Sequence, residues 1–304
     1  MPLGICDTQR IYNSEFEFPM PQNIVKQYLA GNGFDNKEEY SEEESQRLYE
    51  DINENYDNIL SAHPKKEKIA VITAGAPGAG KTFKIHEELK FFSTQGQHYA
   101  YVCPDDVCLK NLKRTYIKDL ESSSDAVSAY NKWRPGSNAA AQLILANLIR
   151  ENYAFYFGST SSHPATGLLF DFLKKRGYQI RLIHVTASDE TRWKSIQERN
   201  NTFFKTTEED IKAKGLAVSE RINDTYLKYA DQIDFYYRGG PRENTVLAAK
   251  WLRVENEEAQ LGKLQVVDSK AYEEIKKIHN KSTQILNKPQ LSWQETVEKS
   301  SIIL

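Results

Sequence analysis

An apolar run, a glycine-rich octapeptide and a helix-forming stretch follow one another between residues 68 and 92. The octapeptide reads GAPGAGKT, from Gly75 to Thr82, behind KIAVITA and ahead of FKIHEELKFF. It matches the pattern G-x-x-x-x-G-K-[ST] in the strand, loop and helix context that this pattern requires. Because backbone N–H groups can wrap an anion only where side chains do not intervene, Gly75, Gly78 and Gly80 predict a loop that cradles phosphate.

The same loop predicts how a nucleotide would be held. The positive end of the following helix attracts the phosphates, Lys81 adds a charge near the β- and γ-phosphates, and the Thr82 hydroxyl is a ligand for Mg²⁺. The chain has no NKxD guanine signature, which favours ATP over GTP. The loop alone does not distinguish a kinase from an ATPase. The predicted ATP-binding residues are Gly75, Ala76, Pro77, Gly78, Ala79, Gly80, Lys81 and Thr82.

Short apolar segments alternate with helical patterns from residue 67 onward. The predicted strands are 68–74, 100–103, 153–157, 179–186 and 233–238, and the predicted helices are 80–92, 106–120, 138–151, 165–175, 188–199 and 207–230. Ser137 and Ser188 precede two of these helices as expected N-caps. Such alternation predicts the α/β class, with a mostly parallel sheet flanked by helices, and together with the loop it predicts a P-loop NTPase fold.

The sequence on either side of this core is helical in pattern. Residues 1–66 form a predicted N-terminal extension that is acidic and rich in tyrosine, residues 67–267 form the core, and residues 268–304 form a C-terminal helical extension. Leu48, Ile52, Tyr56 and Leu60 recur at four-residue steps, which predicts one amphipathic helix in the first extension.

The balance of charge excludes some classes of partner. Lys and Arg number 40 and Asp and Glu number 42, so no strong overall field favours nucleic acid or an anionic membrane. The cysteines are Cys6, Cys103 and Cys108, an odd number without a CxxC pair, which favours a reducing compartment. No signal-peptide pattern and no membrane-spanning run is found, so we expect a cytoplasmic protein, with delivery into the cytosol of a host cell left open.

Two carboxylates follow the second predicted strand, in YVCPDDVCLK. Asp105 and Asp106 come after Pro104, where ligands of open α/β sheets bind, at the carboxyl ends of the strands. A carboxylate here could accept a proton from a substrate hydroxyl or hold Mg²⁺, and we assign the first role to Asp105 and the second to Asp106. The structural alternative is that an aspartate caps the helix that begins here.

After the loop and the PDD element, the chain contains the stretches RPGSNAAAQLILANLIRENYAFYFGSTSS and SIQERN…FFKTTEEDI. Taken together, these elements resemble the zeta-toxin family of small-molecule kinases over about residues 68–240. The resemblance implies an ATP- and Mg²⁺-dependent kinase that phosphorylates a hydroxyl group. It implies that Lys81 and Asp105 are catalytic, with Asp105 as the general base, and that Arg199 and Lys205 clamp the phosphates. It also implies substrate contacts from Gln142, Ser159 and Thr160, and an antitoxin or immunity protein as partner.

The chain departs from the family at two substrate positions. Gln142 stands where many members have a glutamate, and GSTSS stands where an acidic-Gly-Thr-Gly-Arg element is common. These changes leave two acceptors open, UDP-N-acetylglucosamine and NAD. A polynucleotide or nucleoside kinase and a non-catalytic nucleotide-dependent switch are the alternative functions.

Overall fold

A computed structural model describes residues 16–31, 40–122, 125–198, 207–254 and 262–280. The chain is an α/β protein whose described strands form a mostly parallel sheet of seven strands, flanked by helices. It divides into two compact units. The first holds the described residues of Met1–Lys68 and Glu88–Gly158, and the second holds those of Ile69–Glu87, Ser159–Asn200 and Lys205–Leu304.

The strands of the described residues are β1 (Ile69–Ala74), β2 (Ala100–Val102), β3 (Phe155–Phe157), β4 (Gln179–Ala187), β5 (Gln232–Arg238), β6 (Thr245–Arg253) and β7 (Gly262–Val266). The α-helices are α1 (Gln22–Gly31), α2 (Glu42–Leu60), α3 (Lys81–Thr94), α4 (Lys118–Ser122), α5 (Ala126–Arg150), α6 (Thr166–Lys175), α7 (Asp189–Glu198), α8 (Glu208–Arg221), α9 (Leu227–Tyr229) and α10 (Ser269–Asn280). Tighter or wider helical turns occupy Pro104–Cys108, Leu109–Asn111, Lys113–Ile117, Ile222–Tyr226 and Arg242–Asn244.

In the first unit, β2 and β3 pair in parallel and helices α1, α2 and α5 pack together. The apolar face predicted for residues 48–60 is present in α2, where Leu48 and Ile52 are fully buried. The same face carries buried Asp51, which accepts hydrogen bonds from the backbone N–H groups of Arg114 and Thr115. Burial raises the pKa of Asp51 in spite of these donors. Helix α2 is therefore an integral packing element of its unit.

In the second unit, β1, β4 and β5 are parallel, and β6 and β7 continue the sheet in antiparallel fashion. Helices α6 and α10 pack on this sheet and α8 packs on α7. The five predicted strands correspond to β1–β5, and the prediction missed β6 and β7. The proposed boundaries at 66/67 and 267/268 stay predictions, because the two units follow a different division of the chain.

Ser137 is not an N-cap, contrary to the prediction. Helix α5 begins twelve residues before the predicted start, at Ala126, and Asp125 caps it by accepting hydrogen bonds from the N–H groups of Val127 and Ser128. Ser137 lies inside the helix, and its hydroxyl donates to the carbonyl of Pro104 at 2.5 Å. The predicted cap at Ser188 is confirmed, since its Oγ accepts a hydrogen bond from Thr191 N at 3.1 Å.

No helix among the described residues is both long enough and apolar enough to cross a membrane.

A buried chain of polar side chains joins β4, α8 and α10. Ser219 donates its proton to the carbonyl of Gly215, so His279 Nδ1 donates to Ser219 Oγ at 2.6 Å. His279 Nε2 then accepts from Thr186 Oγ1 at 2.9 Å, and that oxygen is 3.3 Å from Nδ1 of His184. At neutral pH both histidines of this hydrogen-bonded chain are uncharged. Burial lowers the pKa of His279 to about 4 and the pKa of His184 well below its ordinary value of 6.5.

We therefore predict that the free energy of unfolding falls as the pH drops from about 6.5 towards 5. The unfolded chain binds a proton at each histidine in this range and the folded chain does not, so each histidine contributes a slope of about 1.4 kcal/mol per pH unit. In His279→Asn, the free energy of unfolding measured with urea should change less steeply with pH than in the wild type, by the amount that corresponds to about one fewer proton taken up on unfolding. His98→Asn is the control, because it makes the same substitution at an exposed histidine outside this hydrogen-bonded chain. Equal slopes in all three proteins would contradict the assignment.

Candidate functional site

The glycine-rich loop connects β1 to α3 within the second unit. Gly75 has a φ of +139° and Gly78 a φ of +80°, values that side-chain-bearing residues rarely adopt. A Cβ on Gly75 would lie 2.4 Å from the carbonyl oxygen of Val185, and one on Gly78 would lie 2.4 Å from that of Arg192. Both the backbone conformation and the available space therefore require glycine, as the sequence predicted.

A turn that follows β3 is bonded to the end of β1, just before the loop. The Gly75 N–H donates to the carbonyl of Thr160 at 3.1 Å. Thr73 Oγ1 donates to the carbonyl of Ser159 at 2.8 Å and accepts from its N–H at 3.0 Å, and Ser161 Oγ donates to the carbonyl of Thr73 at 2.7 Å. The predicted substrate residues Ser159 and Thr160 thus lie directly against the entry to the loop.

Arg238, at the end of β5, also supports the loop. Its side chain is buried, and Nη1 donates to the carbonyl of Gly78 at 2.9 Å. Nη2 donates to Ser195 Oγ at 2.6 Å and Nε to the carbonyl of Gly240 at 2.7 Å. Sequence reasoning missed this residue. The available signal was an arginine that ends a predicted strand and precedes two glycines.

The two side chains of the loop that are predicted to act on the nucleotide, those of Lys81 and Thr82, lie at its C-terminal end. Lys81 is the first residue of α3, and its ammonium group donates to the carbonyl of Ala76 at 3.0 Å, so the side chain folds back over the loop. Thr82 follows it in the first turn and is only partly buried. The positive charge of Lys81 also contributes, after burial and His279, to the lowered pKa of His184.

A cavity of about 250 Å³ borders the start of the loop within the second unit. Its lining includes Gly75, Ala76, Val185, Arg192, Leu216 and His279. The charge of Arg192 is balanced there by Asp189, and its Nη1 donates to the carbonyl of Ile211 at 2.9 Å. Gly75 and Ala76, the first residues of the loop, therefore border an open cavity and are not covered there by packed side chains.

The two predicted acidic residues lie in the first unit, in the wide helical turn Pro104–Cys108 that follows β2. Cys103 occupies the capping position of this turn, so neither aspartate is its N-cap. Asp106 accepts from the Tyr101 hydroxyl at 3.1 Å through Oδ2, and its Oδ1 is 2.5 Å from the ammonium nitrogen of Lys110. Burial raises the pKa of Tyr101 far above its ordinary range, so this phenol stays a hydrogen-bond donor.

Asp105 is arranged differently from its neighbour. Its side chain is half exposed, and its Oδ1 lies 3.1 Å from Nη1 of Arg134, an ion pair between the turn and α5. These two atoms are not aligned as a hydrogen bond, and Oδ1 accepts no hydrogen bond although it is shielded from solvent. Gln142, another predicted substrate residue, lies on α5 about two helical turns beyond Arg134 and is partly buried.

Arg199 and Lys205, the predicted phosphate clamp, lie outside the described residues and stay predictions.

The described residues offer a hydroxyl ligand for Mg²⁺ at Thr82 but no metal-binding cluster of acidic side chains. No group of three or more His, Cys, Asp or Glu side chains suited to a metal occurs in the described ranges. Mg²⁺ bound with nucleotide phosphates commonly uses only one or two protein ligands, which a single hydroxyl such as that of Thr82 can supply. The two oxygens of Asp106 contact Lys110 and Tyr101, one each, and a carboxylate oxygen can accept more than one partner, so the role of Asp106 as a metal ligand stays a prediction.

The zeta-toxin family model matches residues 53–233, a span that includes the loop, the acidic turn and the turn after β3. The chain belongs to the zeta-toxin family. Members of this family are ATP-dependent kinases. A search of curated proteins by sequence found no significant match.

Solved structures similar to this zeta-toxin chain support the fold. One comes from the PezAT chromosomal toxin–antitoxin system of Streptococcus pneumoniae, with 16% identity, a TM-score of 0.51, and coverage of 66% of this chain and 80% of that chain. Another is the AvrRxo1-ORF1:ORF2 complex with ATP, with 14% identity, a TM-score of 0.59, and coverage of 82% and 75%. The native form of that complex has 15% identity, a TM-score of 0.58, and coverage of 88% and 77%.

We predict that Arg238 is required for the loop to bind ATP. Arg238→Met removes the buried donor to the Gly78 carbonyl, and we expect ATP affinity, measured by calorimetry, to fall about 10- to 100-fold. Arg253→Met is the matched control, because Arg253 also donates to two backbone carbonyls of the second unit, at Ala230 and Leu227, but lies beside the start of β5, whereas Arg238 ends that strand. The control should lower thermal stability and keep ATP affinity. Equal affinity losses in both variants would show that Arg238 acts only through general stability.

Proposed function

We propose that this chain is an ATP- and Mg²⁺-dependent kinase of the zeta-toxin type, which transfers the γ-phosphate of ATP to a hydroxyl of a nucleotide-like metabolite. UDP-N-acetylglucosamine and NAD are the two candidate acceptors. The observation that carries the proposal is the carboxylate of Asp105, which keeps one shielded oxygen without a hydrogen-bond donor in a chain that also holds a preformed phosphate loop. The side chain of Asp105 as a whole is half exposed, and a general base needs an accessible carboxylate for the proton that it accepts.

The second unit supplies the donor half of the reaction. Backbone N–H groups within residues 76–82, apart from Pro77, which has none, surround the phosphates, and Lys81 exchanges the Ala76 carbonyl for the β- and γ-phosphate oxygens. Mg²⁺, when bound, neutralises the developing charge on the phosphates, and Thr82 is the residue that would hold it. Arg199 and Lys205 are proposed to complete the cationic surroundings of the γ-phosphate.

The first unit supplies the acceptor half. Asp105 accepts the proton of the acceptor hydroxyl as its oxygen forms a bond to the γ-phosphorus. The bond between that phosphorus and the β,γ-bridging oxygen breaks, ADP leaves, and Asp105 later gives its proton to solvent. Gln142 of the first unit is a proposed neutral contact that orients the acceptor, and Ser159 and Thr160, which belong to the second unit, are proposed as further contacts.

The similar solved structures support a proposal about the biological role and the partner of this chain. The PezAT structure belongs to a toxin–antitoxin system, and AvrRxo1-ORF1 was crystallised with ORF2 and with ATP. We extend these properties to this chain as part of the proposal, as a bacterial toxin or effector that acts in the cytoplasm, is held by an antitoxin or immunity protein, and is open to delivery into a host cell.

The test is incubation with γ-labelled ATP and a panel of acceptors containing UDP-N-acetylglucosamine, NAD, nucleosides and oligonucleotides. We predict that the wild type labels a nucleotide-like acceptor and that Lys81→Ala loses both ATP binding and transfer. Asp105→Asn should keep ATP binding but lose transfer by about 100- to 10,000-fold, because only the general base is removed.

Asp125→Asn is the matched control, since it makes the same chemical change in the same unit and asparagine is an equally good N-cap for α5. This control should keep transfer near the wild-type rate. No labelled acceptor anywhere in the panel would contradict the kinase proposal. ATP binding without transfer would favour a nucleotide-dependent switch, and labelled oligonucleotide would favour a polynucleotide kinase.

A further inference from the structure

Arg134 is followed by a proline and a glycine inside helix α5. Pro135 lies inside this helix and removes one backbone donor, which weakens the regular hydrogen-bond ladder at that turn. Gly136 follows, and a Cβ there would lie 3.0 Å from Cδ1 of Leu48, so α5 and α2 are in close contact. The segment RPGS is thus packed against α2 at the same place where Arg134 meets the acidic turn.

A short hydrogen-bond chain fixes the guanidinium to the backbone of that turn. Ser137 Oγ donates to the carbonyl of Pro104 at 2.5 Å and accepts from Nη1 of Arg134 at 3.4 Å. The same Nη1 lies 3.1 Å from Asp105 Oδ1. Arg134 therefore forms an ion pair with Asp105 and donates a hydrogen bond to Ser137.

The ion pair leaves the arginine able to serve a second partner. The side chains of Arg134 and Asp105 are 27% and 49% exposed, and ion pairs this close to solvent add little to stability. A guanidinium has five N–H donors; both contacts just described use Nη1, and the phenol of Tyr130 also hydrogen-bonds with this side chain, so donors remain for a further partner. Its planar fork matches the oxygens of a phosphate group, which can bind two of its donors at once.

We propose that Arg134 is a specificity-determining residue that binds a phosphate group of the acceptor beside Asp105. This inference rests on the proposed kinase function and adds to it the requirement that the acceptor be anionic. A phosphate-bearing acceptor would otherwise be repelled by the carboxylate that must deprotonate it, and Arg134 offsets that repulsion. Neutral sugars and nucleosides lack the group that Arg134 binds, and they are disfavoured for this reason.

The test uses the full-length chain and two pairs of probes that differ in their phosphates: UDP-N-acetylglucosamine with N-acetylglucosamine, and NAD with adenosine. Binding is measured by calorimetry in saturating Mg²⁺ and a non-hydrolysable ATP analogue, so that the probes' phosphates cannot occupy the loop. Transfer from labelled ATP is measured in parallel. We expect Arg134→Gln to weaken binding of a phosphate-bearing probe by roughly 10- to 100-fold, to raise its KM similarly, and to change kcat little.

Arg134→Lys should recover part of this loss, because the charge returns without the planar fork. The control is Lys132→Gln, which removes a cation two residues away on α5 that pairs with Glu44 and Asp119 and not with the acidic turn. It should leave acceptor affinity unchanged.

Several outcomes overturn the inference: no binding of either phosphate-bearing probe by the wild type, an unchanged affinity in Arg134→Gln, or an equal loss for phosphate-bearing and neutral probes. The last would mean that Arg134 only positions Asp105. Discrimination in binding without any transferred label would support the role of Arg134 and contradict the kinase proposal, so the two failures are distinguishable.

Discussion

The junction between β1 and the glycine-rich loop is the constraint on which the site depends. At Gly75 the chain has a conformation closed to other residues, passes against the backbone of Val185, and donates its N–H to the carbonyl of Thr160. Arg238 holds the carbonyl of Gly78 a few residues later. These backbone contacts shape the loop before any nucleotide binds, so little reorganisation is required when phosphate arrives.

The acidic turn has a corresponding arrangement in the first unit. Each oxygen of Asp106 accepts a hydrogen bond, from a tyrosine or a lysine, whereas Asp105 keeps an oxygen that accepts no hydrogen bond and pairs by charge with an arginine that is itself oriented by Ser137. Two adjacent carboxylates thus have different surroundings. Differences of this kind separate a structural carboxylate from a reactive one, and they favour Asp105 as the base.

Features that depend on local sequence were predictable, and features that depend on distant partners were not. The five parallel strands and the loop follow from apolar runs and glycine spacing within short windows. The start of α5 was predicted wrongly because Ser137 reads as a cap, while its true partner, the carbonyl of Pro104, is 33 residues away. Arg238 was missed for the same reason, since Gly78 is 160 residues distant. Strand β7 was missed because it is short and three of its five residues are exposed, whereas six of the nine residues of β6 are apolar, so its sequence does carry a strand signal that the prediction overlooked.

The most direct test of the account is the stoichiometry of the products in a reaction with unlabelled ATP and the best acceptor. A kinase that hands the γ-phosphate to a hydroxyl activated by Asp105 should form ADP and phosphorylated acceptor in equal amounts, with little inorganic phosphate. Quantitative chromatography of ADP, acceptor and phosphate measures all three at once. ADP matched by inorganic phosphate, with the acceptor unchanged, would contradict the account and identify the chain as a nucleotide hydrolase.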